Sequence, residues 1–199
     1  MEPRHSQNDF GNPEAEYRAA TESAAVFDVS DRTQLQMSGA DRHSFFHGFC
    51  TNDIKGLKSG TGCEAFLCNV KGRLLGHVFV FAGEESLVLE SVPGQSDALT
   101  SHLNKYCLVE DVQLVDRTGT LTEFLVSGPK AAQLLTDAGL DVTTLEPWQH
   151  VKLAAQAGAG ECEFHVKRVD LFGASAFLIS ADGAQGDALW ERLTKAGIA

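Results

Sequence analysis

The side chains that could do chemistry are few and scattered. His43 and His47 stand four residues apart beside Phe45, Phe46 and Phe49, a spacing that puts two imidazoles on one helical face. Such a face reads either as a ligand pair or, with no third ligand nearby, as the solvated side of the helix. His77 interrupts the apolar run Leu74-Leu75-Gly76-His77-Val78-Phe79. It is therefore either a polar group turned to a pocket or the exposed face of an edge strand. Thr51-Asn52-Asp53 reads as a loop offering an amide and a carboxylate to a ligand, or as an Asx turn closing a helix. Cys50, Cys63 and Cys68 with His77 lack a Cys-x-x-Cys pair, and thiols among apolar neighbours read as small core side chains rather than a metal set.

Other chemistries lack their sequence signature. Phosphate-loop and dinucleotide glycine patterns are missing, since the glycines from Gly56 to Gly62 lead into a strand rather than a helix. His-Glu-x-x-His and Gly-x-Ser-x-Gly are missing too, which removes zinc proteases and esterases. With 16 Lys and Arg against 27 Asp and Glu, the formal net charge is −11, which repels phosphate backbones and argues against direct nucleic-acid binding. The polar start carries no apolar signal core, and no apolar run is long enough for a span, so a cytoplasmic chain without membrane contact is expected. Five cysteines, odd in number, suit reduced thiols.

The chain has 199 residues, 43% of them hydrophobic, enough to bury about two-thirds of its unfolded surface. Residues 1–12 are polar and read as a flexible start. Pro13 then stands at the first position of a helix running to Ala24. Alternation and turn residues predict strands at Val26–Val29, Thr33–Ser38, Cys63–Cys68, Leu74–Phe81 and Ser86–Val92, with helices after Gly39-Ala40-Asp41 and over Ser96–Leu108, the latter with Ser96 or Asp97 able to cap it. The second half repeats the order. Strands are predicted at Val112–Asp116, Leu121–Ser127, Val151–Ala155, Glu163–Val169 and Ala176–Ser180, and helices at Pro129–Ala138 and Asp182–Ala196.

Ser38-Gly39-Ala40 recurs as Ser127-Gly128-Pro129, 89 residues later, and at that spacing Leu35 falls on Phe124, Met37 on Val126, and Phe45-Phe46 on Leu134-Leu135. The chain is thus expected to be α+β, with two pseudo-repeats of order β-β-α-β-β-β-α at about 26–108 and 111–197 making one domain over 13–199. A small-molecule pocket is expected at their seam.

Five segments in order carry a resemblance: Phe27-Asp28-Val29-Ser30, Ser38-Gly39-Ala40-Asp41, Thr51-Asn52-Asp53-Ile54, Asn69-Val70-Lys71-Gly72-Arg73, and Ser127-Gly128-Pro129-Lys130-Ala131. With Arg168–Ile179 and the Ala188-Leu189-Trp190 helix, they resemble the folate-binding region of the glycine-cleavage T-protein (aminomethyltransferase) superfamily. The resemblance implies two intertwined units and a pterin pocket. It also implies tetrahydrofolate as the ligand, with Asn52, Asn69, His77, Glu90 and Arg168 as pocket polar groups.

The register places the family's folate-holding Asp-Asp pair on Gly76 and His77, and its pterin-anchoring glutamate on Ala174. Neither place is acidic. The expected function is therefore folate or partner binding without catalytic residues, in one-carbon metabolism or in iron–sulfur protein maintenance. The latter belongs to the YgfZ branch, which Lys71-Gly72-Arg73 and Glu90 resemble. Family members continue into a β-barrel past the point reached here, so a protein covering that flank is an expected partner. Two alternatives stand beside this reading: an active aminomethyltransferase with pocket carboxylates supplied in trans or by Glu64 or Asp53, and a non-catalytic interaction subunit.

Overall fold

The computed structural model describes residues 12–157, 160–171 and 174–197. Residues 1–11, most of the start expected to be flexible, lie outside them. The elements are α1 (Pro13–Glu22), β1 (Ala25–Asp28), β2 (Thr33–Ser38), α2 (Arg42–His47), β3 (Thr61–Cys68), β4 (Leu74–Ala82), β5 (Ser86–Ser91) and α3 (Ser96–Asn104). They continue as β6 (Gln113–Asp116), β7 (Leu121–Ser127), α4 (Ala131–Asp137), β8 (His150–Ala157), β9 (Gly160–Leu171), β10 (Ala174–Asp182) and α5 (Gly186–Lys195). No helix of the described residues is long and apolar enough to cross a membrane.

The expected β-β-α-β-β-β-α order is present twice, and each time it builds one five-stranded antiparallel sheet. The orders are β3-β4-β5-β2-β6 and β8-β9-β10-β7-β1, the same succession in both. The short first strand of each repeat pairs in the sheet of the other repeat: β1 runs along β7, and β6 along β2. That exchange is what intertwines the repeats. Spatially the chain divides into Met1–Ser30 with Gly119–Ala199, and Asp31–Thr118.

Alternation decides which side of each sheet is apolar. In the 31–118 unit, Leu35, Met37, Ala65, Leu67, Val78, Val80, Leu87 and Leu89 lie on one face with Phe45, Phe46, Leu99 and Leu103 of α2 and α3. In the other unit, Phe124, Val126, Phe164, Val166, Phe177 and Ile179 do the same with Leu135 of α4 and Leu189 and Leu193 of α5. The pairs Leu35/Phe124 and Met37/Val126 are all buried, as the repeat spacing requires.

The two Ser-Gly turns share their hydrogen bonds as well. The Asp41 amide donates to the Asp111 carbonyl at 3.1 Å, and 89 residues on, the Lys130 amide donates to the Ser23 carbonyl at 2.9 Å. Gly39 has φ +103° and Gly128 φ +137°, conformations that side chains disfavour. A Cβ on Gly39 would lie 2.1 Å from the Asp111 oxygen, and one on Gly128 2.4 Å from the Ser23 oxygen.

Three local expectations shift. The helix expected over Ser96–Leu108 ends at Asn104, and Ser96 does not cap it. Its hydroxyl donates to Asp116 instead. The last helix starts at Gly186 behind a 3-10 turn, Gly183–Gln185, which Asp182 caps by accepting from the Ala184 amide. His43 and His47 are not a free solvated pair. The Ile54 amide donates to His47 Nδ1 at 3.3 Å, and His43 Nδ1 meets the Ile54 carbonyl at 2.9 Å, so the two rings hold the backbone of a fully buried residue.

Gly39→Ala or Gly128→Ala must move a backbone segment as well as adopt a disfavoured φ, and each is expected to cost more than about 1–3 kcal/mol. Gly72→Ala, at φ +72° with open space around it, should cost less. Urea unfolding of the three variants checks that order.

Candidate functional site

The second face of each sheet carries the polar chemistry. In the 31–118 unit, strand pairing sets Phe66 opposite His77, Glu64 opposite Phe79, and Phe79 opposite Glu90, with Gln34 beyond. His77 Nε2 lies 2.6 Å from Glu64 Oε1. Since a carboxylate only accepts, Nε2 is the donor, and in the neutral ring Nδ1 is left as the acceptor and base. The ring is held between two others: Phe66 at 5.3 Å, tilted, and Phe79 at 5.1 Å, edge-on. The Arg32 guanidinium lies 5.2 Å from the Phe79 centroid, a cation–π contact.

The loop after α2 positions this group. Thr51 accepts from the Phe66 amide at 3.0 Å, and the Thr51 amide donates to the Phe66 carbonyl at 3.1 Å. The Asn52 side-chain amide donates to the Glu64 carbonyl at 2.9 Å. Glu64 and Phe66, two of the three neighbours of His77, are therefore fixed on the edge strand β3 by Asn52 and Thr51. Asp53 closes the loop by accepting from the amide of Gly56, three residues on, at 3.2 Å.

The other expected pocket residues fall as follows. Asn69 accepts from the Lys71 and Arg73 amides at 2.9 and 3.1 Å and so locks the β3–β4 hairpin. Glu90 is fully buried on β5 beside Phe79 and Gln34. His77 lies on β4, which is flanked by β3 and β5, so its strand is not an edge. Arg168 belongs to the other unit. Its guanidinium donates to the Leu145 carbonyl and, at 3.5 Å, to Ser175. Its carbonyl accepts from the Trp148 amide at 3.0 Å, where Trp148 has φ +64°.

Gly76 and His77 point to opposite faces. A Cβ at Gly76 would meet Leu99 of α3 at 3.0 Å, so only position 77 looks onto the polar face. Cys63 and Cys50 are not nucleophiles poised for attack: burial pushes Cys63 up to about 11 and also raises Cys50. Among the described residues no cluster of three His, Cys, Asp or Glu is placed to hold a metal.

These geometries meet a known family. A family model, the GCVT N-terminal domain, matches residues 4–199. The chain belongs to that family. Its relatives include aminomethyltransferases of Alkaliphilus oremlandii (26% identical over 92% of this chain and 50% of the relative) and Exiguobacterium sibiricum (28% over 95% and 52%). The chain spans about half the length of the curated relatives it matches. In fold it is similar to the glycine cleavage system aminomethyltransferase T of Bartonella henselae, at TM-score 0.79 and 23% identity, over 90% of this chain and 47% of that one. It is also similar to a chain of heterotetrameric sarcosine oxidase from Corynebacterium sp. U-96, at TM-score 0.57 and 17% identity, over 88% and 86%.

One polar feature of this GCVT domain escaped the sequence reading. On the second face of the other sheet, Lys167 Nζ lies 2.7 Å from Glu123 Oε1 and 3.1 Å from Ser180 Oγ, with both charged side chains essentially fully buried. His165 Nε2 meets His150 Nδ1 at 2.8 Å on the same face. The signal was present as Glu163, His165 and Lys167 alternating with Phe164 and Val166.

Burial, with Lys167, His150 and Lys152 around it, holds His165 well below the usual imidazole range. The unfolded chain then binds the extra proton, so stability falls as pH drops through about 6.5. Stability is therefore expected to fall steadily between pH 7.5 and 5.5 as the unfolded form of this one group takes up its proton. Chemical denaturation of wild type and His165→Gln across that range checks it: the variant should lose that part of the slope.

Proposed function

We propose that this GCVT-type domain binds a reduced folate on the Glu64–His77 face, serves one-carbon metabolism within a larger assembly, and does not transfer the aminomethyl group by itself. The Glu64–His77 pair carries the reading. Glu64 offers a second carboxylate oxygen to a donor on the ligand's amino-pyrimidine edge, His77 Nδ1 offers an acceptor, and the Phe66 ring, 44% exposed, offers a flat surface for a pterin. One oxygen of that carboxylate is already engaged by the imidazole. The site thus has an anchor but no free acid at the strand position where the family resemblance puts one.

The assembly part is supported by likeness in fold to a chain of the heterotetrameric sarcosine oxidase, which is matched over 86% of its length. The iron–sulfur reading rests on the likeness of Lys71-Gly72-Arg73 and Glu90 alone.

Calorimetric titration with tetrahydrofolate is expected to show binding. Glu64→Gln should weaken it about tenfold or more, the worth of one hydrogen bond to a charged group. Absence of heat and of any melting shift at millimolar ligand overturns folate binding. Product formed by this chain with only the remaining glycine-cleavage proteins overturns the claim that it does not transfer.

A further inference from the structure

A second candidate surface lies at the β3–β4 hairpin and goes beyond folate binding. A cavity of about 150 Å3 is lined by Gly48, Phe49, Cys50, Thr51, Cys68, Asn69 and Val70. Its rim continues into the hairpin tip, where Val70 and Leu74 are 73% and 60% exposed. Between them stand Lys71 and Arg73, both exposed. Among the described residues neither of these cations makes a side-chain hydrogen bond or ion pair. Arg18, Lys152, Lys167 and Lys195 are each matched to a carboxylate in a chain of net charge −11, while Lys55, Lys58 and Lys130 are, among the described residues, unmatched like Lys71 and Arg73. What sets the hairpin apart is the cavity and the two exposed aliphatic side chains beside its cations.

The tip is also rigid. Asn69 accepts from the Lys71 and Arg73 amides, its own amide donates to the Arg73 carbonyl at 2.9 Å, and the Cys68 amide donates to the Phe49 carbonyl at 2.8 Å. Two exposed aliphatic side chains, two unmatched cations and a small cavity are therefore held in one arrangement before any partner arrives, which lowers the ordering cost of binding.

We propose that this hairpin and its cavity dock an acidic segment of a partner polypeptide that carries one aliphatic side chain. The aliphatic group enters the cavity beside Val70, and flanking carboxylates pair with Lys71 and Arg73. A second copy of this chain is a poorer occupant, because bringing two molecules of charge −11 together opposes contact.

The probe is a synthetic peptide, Asp-Glu-Leu-Glu-Asp, titrated into the 15N-labelled protein. Amide shifts are expected at residues 48–51 and 68–74, with affinity falling about tenfold on raising salt from about 50 to 500 mM as the charges are screened. Lys71→Glu with Arg73→Glu should abolish those shifts while the tetrahydrofolate titration is unchanged, which separates this surface from the folate reading. Val70→Asp should weaken peptide binding at least tenfold without lowering the melting temperature. The proposal is overturned by an equal response to Lys-Lys-Leu-Lys-Lys, or by no shift at about 5 mM acidic peptide. Self-association removed by the charge reversal also overturns it, because the occupant is then a second copy.

Discussion

How closely one backbone lies on another at the Ser-Gly turns governs the rest of this architecture. The Asp111 oxygen stands 2.1 Å from where a Cβ on Gly39 would be, and the Ser23 oxygen 2.4 Å from the same place at Gly128. Each carbonyl accepts the amide two residues past the glycine, so the turn, the helix it starts and the segment beside its exchanged strand are tied at one point. That segment leads into β6 at Asp111 and into β1 at Ser23. Because β1 belongs to one sheet while its successor β2 belongs to the other, this tie is what lets a continuous chain build two sheets of equal strand order.

With one face of each sheet committed to helices, charge must be managed on the other. The repeat spacing maps Gln34 onto Glu123, and the two are handled differently. Gln34 lies opposite Glu90 across a strand pair, so there the carboxylate sits on β5. Glu123 lies opposite Ser180, and the balancing cation, Lys167, comes from β9. An ion pair this deep has little net claim on stability, since desolvating both charges offsets their attraction, but removing one partner strands the other. The two repeats thus share backbone positions and apolar faces but differ in their polar chemistry.

The sequence made legible whatever depends on local pattern. Leu35 and Met37 alternate cleanly and define Thr33–Ser38 to the residue, and the same holds for Leu121–Ser127. What depends on distant partners was not legible. Ser96 looks like a cap until Asp116, twenty residues on, takes its hydroxyl. His43 and His47 look like a solvated face until Ile54 folds back between them. Lys167 and Glu123 are 44 apart, and neither announces the other.

The candidate site shows the same division within a few residues. Asn52 and His77 could each be named from sequence as polar groups in odd company, but what joins them is Glu64. Its carbonyl accepts from Asn52 and its carboxylate accepts from His77. Asn52 therefore acts through the edge strand. By occupying the β3 carbonyl it fixes the backbone from which Glu64 reaches across to β4, while Thr51 does the same for Phe66. Gly76 faces Leu99 on the apolar side, so β4 offers only one place here for a polar contact on the other face, and an imidazole fills it. An acid on that face had to come from a neighbouring strand. Arriving from β3, it is already hydrogen-bonded to the ring it orients, and the chemistry available is that of an acid–imidazole pair rather than of a free carboxylate.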